Sequence, residues 1–266
     1  MDARSHPLRD RQPGRIIPDS SIFRQTNNFP RPHGRGFSFF DIISLMKLLL
    51  HTCCAPCSVY CIKTLRAEKI EPTLYWYNPN IHPYTEYKAR RNCLVEYAKT
   101  KKVELILEDA YGLDEFCKNV ADKITTRCRD YCYPKRLRQV FQYAKEHGFD
   151  TVSTTLLYSI YQQHDYIAEL MDKLAEEFGV AFLYRDFREG WQEGQDEARA
   201  AGLYMQKYCG CVFSEEESMI GREIGRKMLA KGVSPTNANV RSIIEAEKID
   251  GLVVPGALKK SLSREA

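Results

Sequence analysis

The fold is decided by the segment Lys47-Leu-Leu-Leu-His-Thr-Cys-Cys-Ala-Pro-Cys-Ser58. The apolar run at its start predicts a short, fully buried strand of the kind found in parallel sheets. A turn containing Pro56 follows, and residues 58–68 have the pattern of a helix. A strand that passes through a short turn into a helix is the beginning of a βαβ unit.

The same alternation of strands and helices continues to residue 202. Further strands are predicted at 73–77, 104–107, 151–156 and 181–184, and helices at 84–101, 113–120, 134–147, 164–178 and 193–202. This order predicts an α/β fold, a Rossmann-like parallel sheet with helices on both faces. Ligands of such sheets bind beyond the carboxyl ends of the strands.

Three parts are predicted along the chain. Residues 1–45 are polar and rich in arginine and proline, which predicts a disordered extension. Residues 46–218 contain the alternating elements and form the predicted catalytic domain. Residues 219–266 are predicted to be an appendage, with a basic helix at 219–231 and part of another at 242–247.

Composition restricts where this protein works. The 266 residues include ten cysteines, which suit either a secreted disulfide scaffold or intracellular metal and redox chemistry. The first residues lack the apolar segment of a signal peptide, and no apolar run is long enough for a membrane helix. We therefore expect a cytoplasmic protein, not bound to a membrane, whose main cysteines are reduced or metal-bound.

Residues with chemical function follow the predicted strands. They are Cys53, Cys54 and Cys57 after the first strand, Asn78, Asn80 and His82 after the second, Thr154, Thr155, Ser159 and Tyr161 at or after the end of the strand that begins at Thr151, and Arg185 and Asp186 after the last. Because the carboxyl ends of parallel strands share one edge of the sheet, these side chains are predicted to form a single site.

Two groups of cysteines are candidate metal ligands. Cys53, Cys54 and Cys57 lie at a predicted helix N-terminus, where the thiolate form is favoured. Cys128 and Cys132 lie in an arginine-rich stretch, and the two groups together can supply four thiolates for zinc or for a four-iron cluster. Structural zinc sites usually draw on paired Cys-x-x-Cys knuckles, so the irregular spacing favours a redox cluster, with zinc as the alternative.

The pair Cys209-Gly-Cys211 is a third cysteine feature. A disulfide across a single glycine closes a small, strained ring that is easily reduced and reoxidised. Extra metal ligands or unused thiols are the alternative. Cys61, Cys93 and Cys117 each stand alone in a predicted helix, and we expect them to be buried small hydrophobic residues.

Basic and aromatic residues are interleaved in two regions of the chain, although the net charge is only +4. The basic residues are Arg127, Arg129, Lys135, Arg136 and Arg138 around the second cysteine group, and Lys88, Arg90 and Arg91. The aromatic residues are Tyr75, Trp76, Tyr77, Tyr84, Tyr87, Tyr131 and Tyr133. Such a combination is typical of proteins that bind single-stranded RNA loops, the alternative being a solvated helix face and core aromatics.

Six motifs occur in order between Met46 and Ser218: Leu-Leu-His-Thr-Cys-Cys-Ala-Pro-Cys-Ser, Tyr-Asn-Pro-Asn-Ile-His-Pro-Tyr-x-Glu-Tyr, Arg-Cys with Cys-Tyr-x-x-Arg-Leu, Thr-Thr-Leu-Leu-Tyr-Ser, Tyr-Arg-Asp-Phe-Arg-x-Gly and Gln-Lys-Tyr-Cys-Gly-Cys-x-Phe-Ser-Glu. Together they resemble the cobalamin-independent, QueH-type epoxyqueuosine reductases. The resemblance implies a nucleotide alpha-hydrolase-like sheet. It also implies the last step of queuosine biosynthesis, in which epoxyqueuosine at the wobble position of the tRNA anticodon loop is reduced to queuosine.

The resemblance also assigns roles to individual residues. The implied ligands of a [4Fe-4S] cluster are Cys53, Cys54, Cys128 and Cys132. The implied redox-active disulfide joins Cys209 and Cys211. The family is also described with an auxiliary mononuclear iron, for which the candidate ligands here are Cys57 and Asp186. The chain departs from the family pattern by having three residues, instead of two, between the cysteines of the second group, and this makes Asp130 a further candidate ligand.

Reduction of an epoxide to an alkene needs two electrons and two protons, and the oxygen leaves as water. Iron with an open position can act as a Lewis acid on the epoxide oxygen. The proton donor is sought among His82, Tyr84 and Asp186, and an electron donor of unknown identity is implied. Two alternatives are a tRNA thiolase, against which the absence of a Ser-Gly-Gly-x-Asp-Ser loop after the first strand argues, and a zinc-stabilised RNA-binding module without catalysis.

Overall fold

The structure is a computed structural model that describes residues 46–230, except the side chains of 224, 225 and 227–230. The predicted disordered extension at 1–45 and the predicted helix at 242–247 lie outside the described residues, as does the rest of the appendage beyond 230. Among the described residues, no helix combines the length and the apolar character that a membrane crossing requires.

Five strands form one sheet in the order β3-β2-β1-β4-β5, and every pairing is parallel. The strands are β1 Leu48–His51, β2 Pro72–Trp76, β3 Leu105–Leu107, β4 Thr151–Thr154 and β5 Ala181–Phe182. The predicted strand at 151–156 is shorter than expected, because the Thr154 hydroxyl accepts a hydrogen bond from the Leu156 amide and begins a 3₁₀ turn at Thr155–Leu157. The predicted parallel α/β sheet is confirmed.

Seven α-helices surround the sheet in the described part of the chain. They are α1 Ala55–Ala67, α2 Tyr84–Lys101, α3 Leu113–Val120, α4 Tyr133–Glu146, α5 His164–Phe178, α6 Trp191–Ala200 and α7 Val212–Ala230. The bounds of α2, α3 and α5 agree with the predicted ones. Helix α7 begins seven residues before the predicted basic helix at 219–231 and runs through the predicted domain boundary at residue 218.

The order of the strands reverses between β1 and β4. Right-handed crossovers therefore place the helices of the two halves on opposite faces of the sheet. Helix α1 packs with α2 and α6, whereas α4 packs with α5 and against β1 and β4. The prediction of helices on both faces is confirmed, and the reversal creates a crevice beyond the ends of β1 and β4.

Strand β1 lies in the centre of the hydrophobic core. Leu48, Leu49 and Leu50 are at most 1% exposed, because neighbouring strands flank β1 and helices cover both faces. Burying each leucine stabilises the fold by about 1.5–3 kcal/mol. The residues that follow β1 are thereby held on a rigid support.

Candidate metal and substrate site

The ends of β1 and β4 are joined by polar side chains at the point where the strand order reverses. His51 Nδ1 lies 2.9 Å from the Thr154 hydroxyl. The Cys53 amide donates to the Thr155 hydroxyl over 3.2 Å, and that hydroxyl lies 3.5 Å from the Cys53 sulfur. The two adjacent threonines that follow the predicted strand therefore fix the position of the first cysteine.

The thiols of Cys53, Cys54 and Cys57 form a compact group. Their sulfur atoms lie within 4.8 Å of one another, and those of Cys53 and Cys54 are 3.8 Å apart. Cys54 has an extended backbone and caps α1, and Pro56 in the first turn needs no amide hydrogen bond. Among the described residues this is the group of side chains that could hold a metal ion.

Protonation is unequal within this three-cysteine group. Hydrogen bonds from Cys54 and Cys57 hold the pKa of Cys53 well below its usual value. Burial raises the pKa of Cys54, and the hydrogen bond to Cys53 raises that of Cys57. The thiolate form is therefore favoured at Cys53 over Cys54 and Cys57, and a bound metal would replace the remaining protons.

The second cysteine group lies in a π-helical turn, Cys128–Cys132, in which the Tyr133 amide bonds to the Cys128 carbonyl. A π turn holds one residue more than an α turn, so the extra residue leaves both cysteines on neighbouring positions of one face. A hydrogen bond from Cys132 lowers the pKa of Cys128 to about 7, with help from Arg127 and Arg136. Asp130 is exposed, and its carboxylate accepts a hydrogen bond from the hydroxyl of Thr126.

Cys209 and Cys211 occupy different environments. Cys209 is exposed, and its sulfur accepts a hydrogen bond of 3.4 Å from Gln162. Cys211 is buried, and its sulfur accepts one of 3.3 Å from Arg127 Nε. All ten cysteines fall within the described residues and all are free thiols here, so the disulfide stays a prediction.

The loop that carries this pair is clamped by Arg90 of α2. This arginine is 1% exposed, forms an ion pair with Glu86, and donates to the carbonyl oxygens of Tyr208 and Cys209 at 2.9 and 2.8 Å. A side chain at Gly210 would place its Cβ 3.2 Å from Ile81, so glycine permits the close approach. The clamp fixes Cys209 relative to α2.

A cavity of about 820 Å³ covers the crevice. Its lining includes Cys53, Cys57 and Cys209, together with Thr155, Ser159 and Tyr161 from the sequence prediction. Two of the three predicted cysteine groups thus contribute to one cavity, whereas Cys128 and Cys132 are not among its lining residues.

Two lining residues have roles that were not predicted from the sequence. The Gln206 amide donates to the sulfurs of Cys54 and Cys57 at 3.0 and 3.5 Å. Arg136 is 3% exposed, donates from Nε to the Cys132 carbonyl, and has no hydrogen-bond partner for Nη2 among the described residues. Gln206 is the first residue of the Gln-Lys-Tyr-Cys-Gly-Cys motif, and this position could have indicated from the sequence that it belongs to the site.

Most residues of the predicted RNA-binding set are engaged elsewhere. Lys135, Arg138 and Arg91 form ion pairs with carboxylates, whereas Arg90 and Arg136 are buried. The aromatic residues of that set that are buried are Tyr75, Trp76, Tyr77, Tyr87, Tyr131 and Tyr133. For these side chains the alternative of core aromatics and paired surface charges describes the structure better.

The predicted burial of the solitary cysteines is only partly correct. Cys61 is buried and its thiol lies 3.2 Å from the Cys57 carbonyl, and Cys93 is half-buried. Cys117 is exposed, so the prediction was wrong there. Helix α3 turns Phe116 and Val120 toward the interior, which leaves Cys117 on its outer side.

His82 is completely buried outside the lining of the cavity. Its ring packs 4.6 Å from that of Phe116, its Nε2 lies 3.2 Å from the Pro79 carbonyl, and its amide donates to the Gly210 carbonyl over 2.8 Å. Burial lowers the pKa of His82 to about 4. In this geometry His82 is neutral near pH 7 and supports the loop of Cys209.

Because of His82, the free energy of unfolding is expected to decrease as the pH is lowered from 7 to 5. The unfolded histidine gains a proton near pH 6.5 while the folded one stays neutral down to about pH 4, so the unfolded state is favoured as pH drops between these values. From pH 7 to pH 5 this amounts to about 2 kcal/mol. Urea unfolding at both pH values should show a smaller loss for His82→Gln than for the wild type; equal losses would contradict the assignment.

The loop after β5 is held by its own ion pairs. The Asp186 carboxylate accepts hydrogen bonds from the amide and Nε of Arg188 at 3.0 and 2.8 Å, which lower its pKa. Arg185 pairs with Glu68. Neither Asp186 nor Arg185 is among the residues that line the cavity, and the iron-ligand role of Asp186 stays a prediction.

Comparison with known proteins gives a consistent family. A model of the family "Epoxyqueuosine reductase QueH" matches residues 48–217. Epoxyqueuosine reductase QueH of Dehalococcoides mccartyi is 39% identical over 171 residues, covering 64% of this chain and 93% of that protein. The Thermotoga maritima protein of the same name is 32% identical over 197 residues, 67% of this chain and 97% of the relative.

A solved structure, the U34-tRNA thiolase NcsA from Methanococcus maripaludis with its [4Fe-4S] cluster, aligns with 14% identity and a TM-score of 0.42, covering 83% of this chain and 73% of the other. The family match spans most of the described residues, including the three cysteine groups and the whole sheet. The chain belongs to the QueH family of epoxyqueuosine reductases.

Proposed function

We propose that this protein reduces epoxyqueuosine to queuosine at the wobble position of tRNA, in the cytoplasm. The observation that carries the proposal is the group of three thiols within 4.8 Å at a cavity where the strand order reverses, in a chain of the QueH family. Base analysis of tRNA from cells that lack the protein tests it. Epoxyqueuosine should accumulate and queuosine should disappear, whereas unchanged tRNA would refute the activity.

The cysteines have the ligand chemistry that an iron–sulfur cluster requires. The three-cysteine group contains thiols only, and soft thiolates favour iron–sulfur clusters or zinc over hard cations. Cys53, Cys54, Cys128 and Cys132 are the proposed ligands of a [4Fe-4S] cluster, which when bound would supply single electrons. The free Nη2 of buried Arg136 supports this assignment, since an N–H group near cluster sulfur is a usual means of tuning its potential.

An auxiliary iron is proposed at Cys57 and Asp186. Cys57 lies with Cys53 and Cys54, whereas the Asp186 carboxylate is occupied by Arg188. Binding of iron by Asp186 therefore requires that Arg188 be displaced. Cys57 is the better supported of the two ligands.

The dithiol of Cys209 and Cys211 is proposed to supply the reducing equivalents. Its oxidation to a disulfide releases two electrons and two protons, the number that converts an epoxide to an alkene and water. Arg127 Nε donates a hydrogen bond to the buried Cys211 sulfur, and exposed Cys209 lies at the cavity. A separate reductant would then return the disulfide to the dithiol.

Removal of either thiol is expected to stop multiple turnover. Cys209→Ser and Cys211→Ser should each lower the rate by at least about a hundredfold, because neither variant can form the disulfide, while binding of tRNA persists. Cys117→Ser, which replaces an exposed thiol on α3, is the matched control and should retain the wild-type rate. Full turnover by the first two variants would favour a role for this pair other than redox exchange.

A further inference from the structure

The cavity is much more basic than the chain as a whole. The chain has 39 basic and 35 acidic residues. Among the residues that line the cavity, five are cationic and one, Glu217, is acidic; the cationic ones are Arg90, Arg136, Arg199, Lys207 and Arg222. Glu217 is itself paired with Arg127. This local excess of positive charge predicts an anionic ligand.

Two of these cations form what we call the cationic rim, Lys207 and Arg222. Both are exposed, and Arg222 is held by a hydrogen bond to the Lys207 backbone carbonyl instead of by a carboxylate. By contrast, Arg90 pairs with Glu86, and Arg199 pairs with Asp196. The rim is therefore the part of the lining that can accept a phosphate from solvent.

A second part of the lining is aromatic instead of charged. We call it the aromatic lip, and it consists of Tyr161 and Trp191. Tyr161 is 78% exposed although it lines the cavity, and its ring meets that of Trp191 edge to face at 5.9 Å. A ring this exposed has a free face on which a planar group can stack. The adjacent Ile160 is 49% exposed and extends the apolar surface.

One residue of the lip is rigidly attached to the wall of the cavity. Trp191 is the first residue of α6, and its carbonyl accepts a hydrogen bond of 2.7 Å from the buried Tyr158 hydroxyl. The start of α6 lies so close to α1 that a Cβ at Gly190 would fall 2.0 Å from the Tyr60 ring. Because Trp191 is fixed in this way, it loses little conformational entropy when a base stacks on the lip.

We propose that a base displaced from a single-stranded RNA loop stacks on the aromatic lip while its phosphate binds the cationic rim. The cavity has a volume suited to an extended nucleotide, since small-molecule sites occupy roughly 300–1,000 Å³. Enzymes that act on a base must take it out of the stack, and aromatic rings then replace the lost stacking. The inference takes from the proposed function only that the ligand is an RNA.

Equilibrium binding of a fluorescein-labelled anticodon stem–loop RNA to the holoenzyme tests the lip. Tyr161→Ala should weaken binding about tenfold or more, the usual loss for one stacked base, and Tyr161→Phe should bind like the wild type. Leu107→Ala is the control, because Leu107 is an apolar residue of β3 that is 43% exposed but does not line the cavity. Wild-type affinity in cluster-loaded Tyr161→Ala would overturn the proposal.

The same RNA tests the rim through the dependence of affinity on salt. Lys207→Gln should reduce the slope of log K against log salt by about 0.7, the value for one phosphate contact with a single strand. Lys145→Gln removes an exposed charge where α4 ends, next to the opposite edge of the sheet, and should leave the slope unchanged. Equal slopes for Lys207→Gln and the wild type would overturn the phosphate contact.

Failure of this inference can be distinguished from failure of the proposed function. Wild-type protein that reduces epoxyqueuosine, while Tyr161→Ala binds the stem–loop normally, would overturn the lip and leave the activity standing. Binding that depends on Tyr161 in a protein unable to reduce epoxyqueuosine would support the lip and refute the activity.

Discussion

Replacing Cys54 with alanine is expected to remove the cluster and to abolish reduction. Cys54 is 1% exposed, caps α1, and belongs to the three-thiol group that supplies two of the proposed cluster ligands, so its loss leaves the cluster one thiolate short. Mutations of residues that merely support a metal ligand cost about 10–100-fold. Loss of a ligand should therefore lower turnover by more than about a hundredfold. The iron and sulfide content, measured after anaerobic purification, should fall as well.

Cys61→Ala is the control for this experiment. Cys61 lies two turns further along α1, is fully buried, and contacts the Cys57 carbonyl, but its sulfur is outside the metal group. Its loss should cost about 1 kcal/mol of stability and leave iron and sulfide unchanged. Stoichiometric zinc without sulfide in the wild-type protein would contradict the cluster and favour a structural zinc site.

Replacing Arg90 with methionine is expected to destabilise the protein by about 3–5 kcal/mol, because the Glu86 carboxylate would remain buried without its counter-charge. The carbonyl oxygens of Tyr208 and Cys209 would also lose their donors. Urea unfolding should show the loss of stability. The loosened loop should also lower turnover at temperatures where the variant is still folded.

Two variants on the same helix identify the cause. Lys99→Met removes the partner of Glu96, but both side chains are about 70% exposed, so stability should change by no more than about 0.5 kcal/mol. The double variant Arg90→Met/Glu86→Leu leaves neither charge buried and should recover most of the loss. An Arg90→Met variant as stable as the wild type would show that the clamp contributes nothing to folding.

Strand and helix assignments depended on local patterns, and these were strong. Helices α2, α3 and α5 were predicted to the residue, and in α3 and α5 apolar positions recur with helical spacing between clear turn signals. The strand β5 was predicted too long. Only two of its residues pair with β4, and no local sequence signal marks the point where this pairing ends. The sequence also could not show that β1 lies between β2 and β4, because strand order depends on contacts between distant segments.

Residue types at the site were predictable, but their partners were not. Cys53, Cys57 and Thr155 line the cavity at the crevice, as expected for parallel strands that end at a common edge. Predicted RNA-binding arginines and tyrosines proved mostly paired or buried, since a basic or aromatic residue has no local mark of exposure. The aromatic rings of Tyr161 and Trp191 lie 30 residues apart in the sequence and meet only in the folded chain.

By itself, the sequence determined the α/β class of this protein, its three cysteine groups and their likeness to one enzyme family. Those properties can be recognised from short motifs and from the periodicity of apolar residues. Tertiary structure alone decided that Arg90 clamps the Cys209 loop, that Gln206 bonds to Cys54, and that a π turn takes up the extra residue before Cys132. The physical reason is that buried charges and hydrogen bonds join residues far apart in the chain, and their partners are set by packing.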